Sequence, residues 1–260
     1  MPDKTQSRIY GDKANINENE MKQFWNKRAC KYDVNNPFVS IKLGDRNPER
    51  AQKWDEYEKD NIIPLLNITF NDTVLDIGCG IGRLADAIIP NCKFYLGTDY
   101  AADLVAIAQE RTRFPGKDYA FATISLQDIS DRTIPIPDGK YSLIIIAGVM
   151  GFINDDNICE GLRNVLSVMA DSCRICVLNP VGITQRLTLN HFFSDELESE
   201  YSVIYRTEEE YLRLMSELSE SGFELALRGD IMVDTANSDE TKRVFHVFSR
   251  STSGTRPKFS

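Results

Sequence analysis

Short, unbroken apolar runs recur along the middle of the chain, with helix-spaced stretches between them. Thr73-Val-Leu-Asp-Ile-Gly78 opens the series, and Phe94–Asp99, a stretch near 119–125, Tyr141–Ala147 and Arg174–Asn179 continue it. Runs of four to eight residues bounded by Gly, Pro or Asn are the pattern of strands buried on both faces. The intervening segments predict helices over 82–90, stopped at Pro90-Asn91, over 102–113, stopped at Pro115-Gly116, and over 155–170 with Asn154 or Asp155 as cap. Pro135, Pro137 and Gly139 mark a loop, and Pro180 is read as the stop of the fifth strand. Residues 181–206 break the rhythm. Thr207-Glu-Glu-Glu210 is a capping box that opens a helix over 207–221, ended by Gly222. Strands over 223–233 and 243–250 follow with no helix between them, so they are expected to pair antiparallel.

Ahead of this series the pattern changes. Residues 1–19 are polar and turn-rich and are expected to be mobile. A helix is predicted from about Asn19 to Tyr32, with Phe24, Trp25 and Arg28 or Ala29 on one face, ended by Asn35-Asn-Pro37. Residues 38–47 read as irregular, and Pro48 opens a second helix marked by Trp54, Tyr57 and Ile62 or Ile63. The domain plan is thus an N-terminal tail and helical extension at 1–60, an α/β domain at 61–250 with its insertion at 181–206, and a tail at 251–260, with the N-terminal helices and the insertion expected to form a lid and acceptor pocket. At 260 residues one sizeable core is possible.

The break after the first strand carries the chemistry. Gly78, Gly80 and Gly82 follow Asp76 at spacings of two. Glycines there let backbone approach a ligand, and the peptide N–H groups behind them suit a nucleotide. Asp99 ends the second strand 21 residues after Gly78, where a carboxylate accepts from ribose hydroxyls. A dinucleotide fingerprint begun at Gly78 would need glycine at position 83, and this chain has Arg83.

The run D-x-G-x-G-x-G, with this strand order, resembles motif I of the class I S-adenosylmethionine-dependent methyltransferases of small-molecule type. The resemblance covers roughly residues 60–250 and implies a seven-stranded, mostly parallel sheet with helices on both faces. It implies S-adenosylmethionine as cofactor, held by Asp76, Gly78, Cys79, Gly80, Asp99, Tyr100, Gln127, Asp128, Ile129 and Ala147. Trp25-Asn-Lys-Arg-Ala29 and Tyr32-Asp33 are similar to the W-x-x-x-A-x-x-Y-D start of many members, in which the tyrosine closes over the cofactor. Ala147-Gly-Val-Met-Gly-Phe152 lacks the N/D-P-P-Y/F of enzymes that methylate base amino groups and lacks the acidic ligands of the metal-dependent type, so no metal is expected.

The insertion supplies the remaining candidates. His191 is the candidate base, and Arg186, Tyr205 and Arg206 are candidate acceptor contacts, since arginines suit a phosphate or carboxylate. His246, in the last strand, reads as structural. The expected activity is methyl transfer to a small molecule, with O-methylation of a sugar or similar metabolite as the finer reading. N-methylation of a small metabolite, a nicotinamide-dependent oxidoreductase and a non-catalytic cofactor-binding subunit stay open. With 30 Lys plus Arg against 39 Asp plus Glu, a net charge of −9 disfavours nucleic-acid partners. Six cysteines form no framework, and Cys173 and Cys176 point to opposite faces of a strand. No leader or long apolar stretch is read, so no membrane partner and a cytoplasmic setting are expected, with oligomeric state open.

Overall fold

The computed structural model describes residues 7–136, 140–231 and 238–251. Pro137, Gly139, residues 1–6, the end of the strand expected over 223–233 and residues 252–260 lie outside the described residues. The chain opens with β1 (Arg8–Tyr10), α1 (Glu18–Arg28), α2 (Val39–Lys42) and α3 (Pro48–Asn61). The alternating part runs β2 (Thr73–Ile77), α4 (Ala85–Ile88), β3 (Phe94–Asp99), α5 (Ala102–Arg111), β4 (Tyr119–Thr123), β5 (Tyr141–Ala147) and α6 (Asp155–Val168). Then come β6 (Met169–Gly182), the hairpin β7 (Leu187–Ser194) and β8 (Ser199–Tyr205), α7 (Glu208–Leu214), α8 (Ser216–Glu220), β9 (Glu224–Asp230) and β10 (Thr241–Arg250).

Seven strands form the main sheet in the order β4-β3-β2-β5-β6-β10-β9. Pairing is parallel from β4 to β6, and β10 runs antiparallel to both β6 and β9. This is the expected class I methyltransferase fold. The apolar runs are continuous because both faces are covered. Leu143 and Ile145 of β5 join one core layer with Leu84, Ile88 and Val105, while Ile144 and Ile146 join the other with Leu162, Val165 and Leu218. The order reverses between β2 and β5, and open sheets bind ligands outside such a switch point.

Four local expectations are corrected. Residues 8–10 are not mobile: β1 pairs antiparallel with Leu187–Leu189 of β7, so the insertion and the N-terminal segment together build a second, three-stranded sheet. Pro180 does not stop its strand, which continues to Gly182. β5 ends opposite Leu178, so at Pro180 the ladder of β6 is to β10 alone, and an edge position tolerates a residue without an N–H. The helix after the glycines is reduced to Ala85–Ile88 and a single 3-10 turn, because Pro90 follows so closely. The helix from Thr207 has its capping box but is broken at Met215.

Candidate cofactor site

The backbone turns sharply as β2 ends. Gly78 has φ +73° and Gly80 φ +54°, in the left-handed region that side chains rarely occupy. The loop is pinned to the neighbouring strand: the N–H groups of Gly78 and Cys79 both donate to the carbonyl of Thr98, at 2.7 and 2.9 Å. Asp99 braces it from the side. One carboxylate oxygen accepts from the Gly80 N–H (2.9 Å) and the other from the Ala101 N–H (2.8 Å). Ala101, not Asp99, stands at the cap position of α5. Burial pushes the Asp99 carboxyl up to about 6, against the pull of these amides.

Above the loop lies a cavity of about 290 Å³. Gly78, Cys79, Gly80, Asp99, Tyr100, Gln127, Asp128 and Ala147 line it, which brings together eight of the expected cofactor residues. Three others lie elsewhere. Asp76 is buried beneath the loop, where its Oδ2 accepts from the Tyr95 hydroxyl at 2.8 Å and desolvation pushes its carboxyl up to about 6. The Ile129 side chain is in the core of the main sheet. Tyr32 packs among the aromatic and apolar residues of the N-terminal helices, not on the cavity.

The N-terminal extension, expected to form part of a pocket, supplies a wall of the cavity through α1. Glu18, Lys22 and Trp25 line the cavity at spacings of four and three along α1. Glu18 also latches the helix down. Its Oε1 accepts from the Asn154 N–H (2.7 Å) and from Asn157 Nδ2 (2.9 Å), and its Oε2 from Gln127 Nε2 (3.1 Å). Asn154 does not cap α6 with its side chain. It forms a two-way amide pair with Ile16, donating to the carbonyl at 3.0 Å and accepting from the N–H at 2.9 Å.

Arg83 also lines the cavity, but its guanidinium reaches back to α3, 3.2 Å from Asp55 Oδ1 and 2.5 Å from Glu58 Oε2. Lys42 Nζ joins Glu58 at 2.7 Å, and burial brings that ammonium down to about 7. The residue that replaces a third glycine therefore ties the loop to the N-terminal extension.

A cofactor with a nucleoside half fits these residues. Asp99 sits where ribose hydroxyls would arrive, and the buried Tyr100 hydroxyl beside it has no hydrogen-bond partner among the described residues. Tyr100, Leu104 and Leu126 offer apolar walls for a base. Residues 75–175 match a sequence family described as a methyltransferase domain. The stretch that matches carries the glycine loop, Asp99, Gln127 and Asp128. S-adenosylmethionine, the cofactor expected from the glycine run, carries a nucleoside half of this kind.

The chain is 22% identical over 153 residues to phosphoethanolamine N-methyltransferase 1 of Caenorhabditis elegans, covering 59% of this chain and 29% of that one. It is 26% identical over 153 residues to the ubiquinone biosynthesis O-methyltransferase of Glaesserella parasuis, covering 58% and 61%. It thus spans less than two thirds of the length of either relative. Among solved structures, Haemonchus contortus phosphoethanolamine N-methyltransferase 1, in complex with phosphoethanolamine and S-adenosylhomocysteine, superposes with a TM-score of 0.70 at 17% identity, covering 94% of this chain and 51% of that one. Magnesium protoporphyrin IX methyltransferase from Synechocystis PCC 6803 gives 0.58 at 16% identity, covering 92% and 100%. At these identities the structures speak to the fold alone.

The candidate acceptor residues of the insertion do not meet at the cavity. His191 sits in an irregular stretch of the β7–β8 pairing with φ +51°, more than half exposed. Its Nδ1 lies 3.6 Å from Glu20 on α1, and it does not line the cavity. Arg186 and Arg206 are buried and turned onto Asp155, which they hold down to about 2. Tyr205 hydrogen-bonds Tyr201. These residues brace the hairpin against α6. His246 Nε2 lies 2.9 Å from Glu208 Oε1, away from the cavity. Among the described residues no group of His, Cys, Asp and Glu is placed to hold a metal, and no helix is long and apolar enough to cross a membrane.

Two predictions follow from this placement. His191→Ala should leave turnover nearly unchanged, as substitutions at exposed sites stay within roughly 0.5 kcal/mol. A hundredfold loss of rate would return His191 to the role of base. Asp99 should make cofactor affinity depend on pH. Its folded value, about 6, is raised above that of a free carboxyl. Protonation therefore favours the folded free protein, and that benefit is lost as pH rises through 6. Ribose hydroxyls need the ionised acceptor, so affinity for S-adenosylhomocysteine runs the other way and should fall as pH drops below 6, by up to roughly tenfold per unit for one proton. Calorimetry across that range tests it. Asp99→Asn should flatten the profile, and a profile unchanged in that variant would move the titration to Asp76.

Proposed function

We propose that this chain transfers the methyl group of S-adenosylmethionine to a small-molecule acceptor. The carrying observation is the lining of the site: the glycine loop, Asp99 and Gln127 face one cavity, with α1 as a wall that Glu18 latches in place. The cofactor supplies an activated, electrophilic methyl. The protein's task is then to bind, align and exclude water. Asp99 accepts from the ribose, Gln127 and Asp128 are placed for the base, and Trp25 with the loop closes the reacting end.

Oxygen is the acceptor atom we favour, in line with the similarity to ubiquinone biosynthesis O-methyltransferases. The finer reading, a sugar or similar metabolite, drew on arginines in the insertion, and those side chains are committed to Asp155. Likeness to phosphoethanolamine N-methyltransferases supports a second reading, a nitrogen acceptor on a small metabolite. The first test is ligand choice. S-adenosylhomocysteine at a hundred times its dissociation constant should add roughly 2.7 kcal/mol of stability, and NAD none. Stabilisation by NAD alone would revive the oxidoreductase. Radiolabelled methyl transfer, with mass spectrometry of the product, separates an enzyme from a binding subunit and oxygen from nitrogen.

A further inference from the structure

The cavity is divided by polarity. Over the glycine loop its wall is apolar and close: a Cβ built on Gly78 would stand 2.0 Å from Cγ2 of Val149, and one on Gly80 3.1 Å from Cγ2 of Ile41. Trp25 and Phe152, edge to face at 5.1 Å, extend that wall. The carboxylates of the lining are each already engaged. Glu18 holds Gln127 and Asn154, Asp128 accepts from Ser125 Oγ at 2.5 Å, and Asp99 holds the amides of Gly80 and Ala101. Among the described residues no histidine lines the cavity, and burial pushes the Cys79 thiol well above its usual range. Lys22 is exposed.

The reacting end of the cofactor belongs at the loop. Asp99 sets the ribose between two regions, and the slot of Tyr100, Leu104 and Leu126, ended by Gln127, suits the flat base. The acceptor must approach in line from the remaining side, where Val149, Ile41, Trp25 and Phe152 stand. A general base has to be within hydrogen-bond reach of the proton it takes, and among the described residues the one basic side chain on this side, Lys22, is exposed to solvent. Aromatic walls suit a flat apolar ring.

We infer that the acceptor is a phenol-class molecule, flat and apolar, that enters with its oxygen already ionised. This rests on the methyl-transfer reading above. The phenolate oxygen forms a bond to the methyl carbon. The carbon–sulfur bond breaks with its electron pair left on sulfur, giving a methyl ether and S-adenosylhomocysteine. The proton has gone to water before binding, so the chain needs no base for it.

Labelled methyl transfer to 4-nitrophenol, 4-methylphenol and methyl glucoside tests this, with S-adenosylhomocysteine binding measured on the same preparation. Both phenols should be methylated and the glucoside not. The pH profile of kcat/KM should inflect at each phenol's own ionisation, and so be displaced between the two. Phe152→Ala should raise the KM for 4-nitrophenol roughly tenfold, the cost of one aromatic contact, and leave S-adenosylhomocysteine affinity within about threefold. With S-adenosylmethionine saturating throughout, so that the Asp99 titration near 6 does not enter, an inflection common to both phenols would reveal a base on the chain and overturn the inference. So would methylation of the glucoside without the phenols, or intact cofactor binding with no phenol turned over. Loss of S-adenosylhomocysteine binding itself would instead sink the methyltransferase reading.

Discussion

Gly78→Ala is expected to abolish useful cofactor binding, lowering affinity for S-adenosylhomocysteine by at least roughly a hundredfold, about 2.7 kcal/mol. Two costs combine. At φ +73° a residue with a Cβ pays about 1–2 kcal/mol for the left-handed backbone. The new methyl would also stand 2.0 Å from Val149 Cγ2, so the loop and the β5 end must separate. That gap is the floor of the cavity, and both sides line it. The two costs can be told apart. Gly78→Ala combined with Val149→Ala should recover the steric part and keep the backbone part. Gly116 serves as control: its φ is +77° with open space around it, so Gly116→Ala should lower stability by a similar backbone cost and leave affinity alone. Calorimetry on the four proteins decides. Wild-type affinity in Gly78→Ala would mean that the loop is not the cradle of the cofactor.

Local chemistry made the main sheet and the loop legible. An apolar run followed by glycines at spacings of two has few other solutions than a buried strand and a tight turn, and Asp99 at the end of the next strand needed only the parallel register. What escaped was non-local or depended on burial. β1 is three residues long, and its partner in β7 lies far along the chain, so nothing in Arg8-Ile-Tyr10 itself announces a strand. Pro180 reads as a stop until its edge position is known. Glu18 looks like an ordinary acid in a helix's first turn. Its three donors come from two distant segments, Gln127 and Asn154 with Asn157, which only the fold assembles. Arginines in a polar insertion suggest a ligand, and the same residue type equally serves as a buried clamp. Sequence carries the charge of Arg186 and Arg206 but not the direction in which the forks point. His191 lies off the cavity lining for a related reason, because a histidine in a hairpin faces either way across one irregularity of pairing.

Arg206 offers the sharpest test of that distinction. It is fully buried, and its fork is saturated: Nε donates to Asp155 Oδ1, and the two terminal nitrogens to the carbonyls of Met150 and Ile153, all at 2.7 Å. Those carbonyls belong to the turn that presents Val149, Phe152 and Ile153 to the cavity. Arg206→Met conserves much of the volume and removes every donor. The Ile153 and Met150 carbonyls then lose these donors, Met150 keeping the Ile153 N–H at 3.4 Å, and among the described residues Asp155 keeps Arg186 and the more distant Lys13. Breaking a buried ion pair from one side costs about 3–5 kcal/mol, which for a chain of this size lowers the melting temperature by roughly 6–20 °C. Arg206→Lys should recover little, since a point charge cannot reach three acceptors at once. Asp155 adds a pH signature. Its carboxyl is held down to about 2, so its contribution is present at neutral pH and is lost as pH falls through that value. In Arg206→Met the loss should begin at higher pH, because one of the two neighbouring guanidinium groups is gone. An acceptor-binding arginine would behave differently: melting would hold, and only the KM for the acceptor would rise. Thermal melts of the two variants between pH 2 and pH 7, read beside the KM, separate the clamp from the ligand.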